Sequence, residues 1–332
     1  MTLDIEPADE DDWNEIVDRS EEASVFHGAE ALSVVEDHAG AEVTRLVGYN
    51  GNEPIGVFPV FESRTGPFTL VTSPPKLLHT FQLGPAMVGM AGMKRRKCEQ
   101  YRREFVTECL AWVDEHIDPD STFVRTTPEF GDIRPFGWNG FEATPFYTYA
   151  VDLTTDREDL ITEFSRDARS NIRNAEEDEY TVEVGGKETL RETFRAVADR
   201  HDETGAPLKV DQSFVVDLYE RTPEGTVRPY ACRVDGEFAT GMITLCSDST
   251  VYRWKGGGRS DTGLQATDLL DWHIMCDAMD RGHERYDLVG ANIPRICDYK
   301  AKFAPDVQTY YTLDRANRLF SASAAVKGAI SR

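Results

Sequence analysis

Long apolar runs are missing from this chain. None of its 332 residues falls in a stretch approaching the roughly 18 that a membrane helix needs. Metal-finger spacing is missing too. The six cysteines, at 98, 109, 232, 246, 276 and 297, include no C-x-x-C pair, and no histidine stands near them at finger spacing. No metal is expected; the cysteines read as small, mostly buried residues of a reducing cytoplasm. The start, MTLDIEPADEDDW, lacks a basic stretch followed by an apolar one, so no secretory signal is read. There is no G-x-S-x-G, H-E-x-x-H, Walker loop or complete dinucleotide fingerprint, which removes the commonest hydrolase, metalloprotease, NTPase and Rossmann readings. Basic residues are scarce: 36 against 59 acidic ones, a net charge of −23. That balance counts against the broad basic face of a DNA-binding protein and describes an acidic, hydrated surface of halophilic type.

What is present reads as an α/β (α+β) chain of two units in tandem. The length allows about two domains of roughly 150 residues. Two turn-and-strand patterns resemble each other: Y-N-G-N-E-P-I-G-V-F, with Gly51 and Gly56, and V-D-G-E-F-A-T-G-M-I, with Gly236 and Gly241. Each predicts a β-hairpin leading into a central strand. A helix over Cys98–His116, a strand over Thr122–Arg125 and β character over Phe141–Leu153 follow the first. A helix over Leu264–Met279, a strand over Arg285–Gly290 and a final strand over Asp306–Leu313 follow the second. The expected division is 1–152, 153–314 and a basic tail, 315–332. Residues 61–93 are rich in proline and glycine and read as an inserted loop, a cover or lid.

Several residue groups carry candidate chemistry. Arg166, Arg169 and Arg173 share one face of a helix and suit a phosphate or carboxylate; the plain alternative is a surface helix pairing with Asp167, Glu176 and Glu177. Tyr252 and Trp254 alternate along a strand, either lining a cleft or lying in the core. Gly256, Gly257, Gly258, Arg259 and Gly263 precede the Leu264 helix as a loop whose N–H groups would cradle an anion. Asp287 lies in the Arg285–Gly290 strand and is a candidate base, because the C-terminal ends of strands border the crevice in open α/β sheets. His273 reads as a core histidine; Asp268 and Asp271 read as serving a helix dipole. Lys94, Arg95, Arg96 and Lys97, with Arg102 and Arg103, form the strongest basic cluster: a contact for anionic lipid, an RNA acceptor stem or a polyanionic substrate, or a solvated helix start paired with Glu99 and Glu104.

The segments Ser165–Ala175, Val251–Gly258, the Leu-Leu-x-Trp helix, Arg285–Gly290 and Asp298–Phe303, taken in order, resemble the FemABX-like branch of the GNAT acyltransferase superfamily and cover most of 150–313. The resemblance implies two GNAT-like units with mixed, mostly antiparallel sheets flanked by helices, and transfer of an acyl or aminoacyl group to a primary amine. It implies an acceptor-phosphate role for Arg169 and Arg173 and a functional lysine at Lys300, a cation where negative charge builds on the carbonyl oxygen. Lys302, two residues on, is expected to be structural. The donors implied are acyl-CoA, favoured because Lys187–Gly205 is one short helix with no coiled-coil arm, or aminoacyl-tRNA. The acceptor expected is a small-molecule or glycan amine of the cell envelope. The site of action is the cytoplasm, at the inner face of the membrane if the Lys94–Lys97 cluster meets lipid. A non-catalytic anion- or glycan-binding module on the same fold is the alternative.

Overall fold

The structure is a computed structural model describing residues 3–76, 78, 80–177, 180–205, 208–259 and 264–322. It divides into two compact units, residues 1–146 with 309–332, and residues 147–308.

The first unit opens with β1 (Asp4–Pro7), α1 (Glu10–Val17) and α2 (Ala29–Ala39), then β2 (Glu42–Asn50) and β3 (Glu53–Thr65). The hairpin turns at Gly51, whose φ of 64° suits a glycine. Next come β4 (Phe68–Ser73), the two-residue β5 (Ala86–Met87), α3 (Arg95–His116), β6 (Ser121–Arg125), α4 (Arg134–Trp138) and β7 (Glu142–Asp152), within which the chain passes to the second unit. β1, β2, β3 and β4 pair antiparallel in sequence, and β4 pairs parallel with β6. α3 supplies much of the core through Tyr101, Phe105, Cys109 and Val113. Gly48 and Gly56 face each other across β2 and β3, and a Cβ at either would meet the Phe105 ring, at 2.4 and 2.8 Å. The glycine five places after the turn is therefore a socket for an aromatic ring. Residues 61–73 are not a loop: they complete β3 and form β4. Val71, Leu83, Ala86, Met87 and Val88 are buried, so much of the expected lid is core. Its glycines and prolines punctuate apolar segments that pack inward.

The second unit continues with α5 (Arg157–Glu163), α6 (Arg166–Glu177), β8 (Thr181–Val184), α7 (Lys187–Thr204), α8 (Gln212–Arg221), β9 (Val227–Val234), β10 (Glu237–Cys246), β11 (Thr250–Gly258), α9 (Leu264–Asp280), β12 (Arg285–Asp287) and α10 (Pro294–Lys300). Its sheet runs β7-β12-β11-β10-β9-β8, antiparallel except between β11 and β12. α6 and α9 bury Ala168, Ile172, Leu269, Leu270 and Ile274 against Val151, Met242, Val251 and Tyr286. α7 lies against the opposite side of the strands: a Cβ at Gly241 would meet Thr193 at 2.1 Å, while the next residue, Met242, belongs to the α6–α9 side. The last strand, β13 (Asp306–Ala316), pairs antiparallel with β6 through Thr312–Ala316. Residues from 309 on thus belong to the first unit, not to a second unit ending at 314. A strand joins the sheet that offers it an open edge, whatever its place in the chain.

Candidate active site

The site is built where β12 stops. Asp287, at 4% exposure, accepts a hydrogen bond from Thr148 Oγ1 at 2.5 Å and another from the Val289 N–H at 2.6 Å. The Gly290 N–H donates to Thr148 Oγ1 at 3.1 Å. Between them Val289 has a φ of 52°, a costly conformation for a β-branched residue, and Gly290 follows at 89°. Lys300 locks this turn. Its Nζ donates to the carbonyl oxygens of Val289, at 2.8 Å, and Gly290, at 2.7 Å. Burial, with Arg253 nearby, pulls the Lys300 ammonium down to about 8, against the opposing pull of Asp287 and Asp271.

Lys300 is the last residue of α10, and a single 3-10 turn over Ala301–Phe303 follows. Residues 298–303 are thus helical, and Lys302 points back to a different partner, Asp268 of α9. Asp268 and Asp271 are fully buried and do not serve the helix dipole. Asp268 also accepts from Asn171 Nδ2 of α6 at 2.8 Å, and the Tyr299 hydroxyl reaches Asp268 at 3.1 Å and Asp271 at 3.0 Å. Asp271 takes Arg253 Nε of β11 and the Tyr286 hydroxyl of β12, both at 2.7 Å. Two carboxylates and two cations thus close a buried network tying α6, α9, α10 and two strands around the residue before Lys300. Burial raises the Asp268 carboxyl, against the hydrogen bonds from Lys302 and Asn171. Burial works against the Arg253 cation, but Asp271, with Tyr299 and Tyr286, together more than offset it. Burial, then the Asp271 charge, pushes the Tyr299 and Tyr286 hydroxyls well up.

β11 and β12 are registered only over Thr250–Tyr252, so β11 runs on past the end of β12, about 20 Å to Gly258 at the usual strand rise. Gly256, Gly257 and Gly258 are therefore strand, not loop. Added Cβ atoms there would strike the Met242 side chain, the α7 backbone at Ala196–Val197 and Thr240, so these glycines allow close packing. Beside the end of β11 lies a cleft of about 550 Å³, bordered by Arg195, Asp199, Arg200, Phe238, Gly258 and Arg259. Gly263 lies outside the described residues. Tyr252 and Trp254 are both buried, and Trp254 meets Phe214 of α8 edge-on at 6.2 Å. Arg166, Arg169 and Arg173 stand on the exposed side of α6; among the described residues none of them is ion-paired, so the surface pairs with Asp167, Glu176 and Glu177 do not form. No contact joins Arg169 or Arg173 to Lys300 among the described residues; from α6 it is Asn171 that reaches the network. His273 is exposed on α9 rather than buried. No group of three His, Cys, Asp or Glu side chains able to hold a metal occurs among the described residues.

Residues 162–301, which span this network, match the family model described as an acetyltransferase (GNAT) domain. This segment is a GNAT domain. It places the protein among the acyltransferases. Solved structures extend the likeness to nearly the whole chain. FemX aligns with a TM-score of 0.74 at 12% identity, covering 93% of this chain and 96% of its own. The C-terminal domain (DUF2156) of a putative lysylphosphatidylglycerol synthetase from Agrobacterium fabrum gives 0.59 at 12%, covering 97% and 96%. L-PGS from Bacillus licheniformis gives 0.58 at 13%, covering 94% of each chain. At such identities the likeness is one of fold. A search of curated protein sequences gives no match.

The buried network escaped the sequence reading. Its signal was an arginine inside the apolar strand V-Y-R-W-K and two aspartates three apart in a helix otherwise rich in apolar residues.

Proposed function

We propose that this protein is an N-acyltransferase that moves an acyl group from an acyl-CoA thioester to the primary amine of a small-molecule or glycan acceptor. The observation that carries the reading is the Lys300-locked turn at the end of β12, beside the stretch of β11 that β12 leaves without a ladder. The amine lone pair attacks the thioester carbonyl carbon; a C–N bond forms, the C–S bond breaks, and the thiolate leaves. Lys300 spends two of its three N–H groups on carbonyls, and the third meets the oxygen on which negative charge develops. Asp287, oriented by Thr148 and the Val289 N–H, takes the proton lost by the attacking nitrogen. The expelled thiolate is reprotonated, giving amide and free thiol. Most of the acceleration comes from holding the two reactants together.

The cleft at the end of β11 is the donor site in this reading. Arg195, Arg200 and Arg259 offer planar forks to the donor's phosphates, and the carboxylates of Glu192, Asp199 and Glu203 share the cleft and set a cost on anion entry. Arg169 and Arg173, exposed on α6 and without an ion pair among the described residues, hold an anionic group of the acceptor. α7 is a single helix of 18 residues with no arm, which favours acyl-CoA over aminoacyl-tRNA as donor. Contact with a larger anionic partner, RNA or membrane, falls to Lys94, Arg95, Arg96 and Lys97.

The deciding experiment measures free thiol released from a panel of acyl-CoAs with and without amine acceptors, at high salt, alongside aminoacyl-tRNA as donor. Thiol release that requires the amine and falls in Lys300→Ala and Arg259→Ala supports the reading. Turnover with aminoacyl-tRNA alone reassigns the donor. No turnover with any donor, despite tight anion binding, turns the protein into a binding module.

A further inference from the structure

The first unit carries a charged surface that acyl transfer does not use. Lys94 caps α3, and Arg95, Arg96 and Lys97 form its first turn, all exposed. The turn holds no acidic residue, although the chain carries a net charge of −23. Four cations in succession stand at the positive end of the helix dipole, an unfavourable placement unless an anion is met there. Of the plain reading, pairing with Glu99 and Glu104, only the Arg103–Glu104 pair forms among the described residues, and it lies outside the first turn. Glu99 bonds Arg134 at 3.4 Å and Glu104 lies 4.0 Å from Arg103. Asp132 bonds Arg134 at 2.7 Å, and Glu22 pairs with Arg102. Of the four cations only Lys97 has a partner among the described residues, the Tyr101 ring at 5.0 Å.

A second, independent feature adjoins the patch. α4 lies along α3: Arg134 stands beside Glu99, and Asn139, just past the end of α4, donates from Nδ2 to Thr107 Oγ1 at 3.3 Å. Its last residue, Trp138, is 64% exposed, against 40% for Tyr147, and the Arg134 guanidinium sits 5.9 Å from its ring. Arg95, Arg102 and Arg134 also border an open cleft of about 580 Å³ between the two helices.

We infer that this face of the first unit docks peripherally on an anionic lipid bilayer, with Lys94–Lys97 on the headgroup phosphates and the Trp138 indole seated at the interface. Basic side chains beside an exposed indole are the pairing that suits a bilayer surface, where charge and an amphipathic ring act at the same depth. RNA suits it less. A nucleic-acid strand needs cations tracking its backbone, whereas these are confined to one helical turn and the adjoining cleft presents the Asp132 carboxylate. Screening over about 8 Å at physiological salt leaves the local patch, rather than the distant acidic surface, to meet the headgroups.

The contact is independent of the transfer chemistry, so it is tested on its own. The full chain is sedimented with vesicles of phosphatidylcholine alone and of equal parts phosphatidylcholine and phosphatidylserine, in about 0.15 M salt. Binding is expected only to the anionic vesicles. At about fivefold per cation, Arg95→Gln with Arg96→Gln together weaken it by about 25-fold. Both side chains are exposed, and an unchanged melting curve confirms that the variant folds. Vesicles should shift tryptophan emission to shorter wavelength in the parent and not in Trp138→Phe. Equal binding to neutral vesicles, or indifference to the double substitution, overturns the proposal. Tighter binding of an RNA hairpin in the same salt, lost in the same variant, overturns it in favour of RNA. Each of these outcomes leaves the transferase reading where it stood.

Discussion

Replacing Lys302 by methionine isolates the energetics of the buried network. Lys302 is 9% exposed and its partner Asp268 is fully buried, so the substitution leaves a carboxylate without its counter-ion inside the protein. Breaking such a pair from one side costs about 3–5 kcal/mol, because the remaining charge keeps its desolvation penalty. For a unit of this size each kcal/mol lowers the melting temperature by about 2–4 °C, so a fall of about 6–20 °C is expected. Asn171 and Tyr299 still donate to Asp268, which places the result toward the low end. Asp268 already has a raised pKa in the fold, so the native state holds its proton more tightly than the unfolded chain. Its contribution is therefore most favourable below the unfolded carboxylate range and is lost as pH rises through the folded pKa. Without Lys302 the shift grows, and the carboxyl escapes the penalty by staying protonated. The deficit of the variant should thus be smaller at pH 5 than at pH 8. Urea unfolding followed by circular dichroism at both pH values measures it, and Asp268→Asn/Lys302→Met completes a double-mutant cycle. A loss below about 1 kcal/mol, the worth of an exposed pair, refutes the reasoning, as does a deficit that grows on acidification.

Lys300→Met should remove a pH dependence as well as activity. With its ammonium lowered to about 8, the native protein binds fewer protons than the unfolded chain between that value and the ordinary lysine range. Stability should therefore rise across that interval in the parent, and the variant should lack that component. If the ammonium serves the oxyanion, kcat/KM on an acceptor amine of low pKa should fall above about pH 8, and a flat profile there would remove Lys300 from the chemistry. Gly257→Ala should cost about 1–3 kcal/mol by overpacking, since its Cβ would stand 2.6 Å from the Val197 nitrogen of α7; an unchanged melting temperature would show that α7 yields freely. Arg169→Ala and Arg173→Ala should each leave stability within about 0.5 kcal/mol while raising KM for an anionic acceptor. A change in kcat alone would contradict a holding role.

Much of the architecture was legible in the chain itself. The helical stripe through Tyr101, Phe105 and Cys109 and the stop glycine at Gly205 announce α3 and α7, because periodicity and turn chemistry are local properties. The paired glycines Gly51–Gly56 and Gly236–Gly241 mark the two hairpins for the same reason. The segments that match the GNAT model were recognisable by residue type and order. Lys300 and Asp287 were singled out one by one, but nothing along the chain indicated that one ammonium would hold the turn that follows the other residue.

What only the tertiary structure decided depends on neighbours distant in sequence. Whether glycines at 256–258 form a loop or a strand turns on the α7 backbone lying against them. Whether Asp268 and Asp271 face water or the interior turns on Lys302, Arg253 and two tyrosines delivered by other elements. Residues 306–313 read locally as a final strand, and it takes the pairing of Thr312–Ala316 with β6 to bring the end of that strand into the first unit. Local pattern sets which element forms, since it acts through bonds and adjacent side chains. Burial, ion pairing and strand partnership are set by what arrives from elsewhere, and they make a functional site out of residues that look ordinary one at a time.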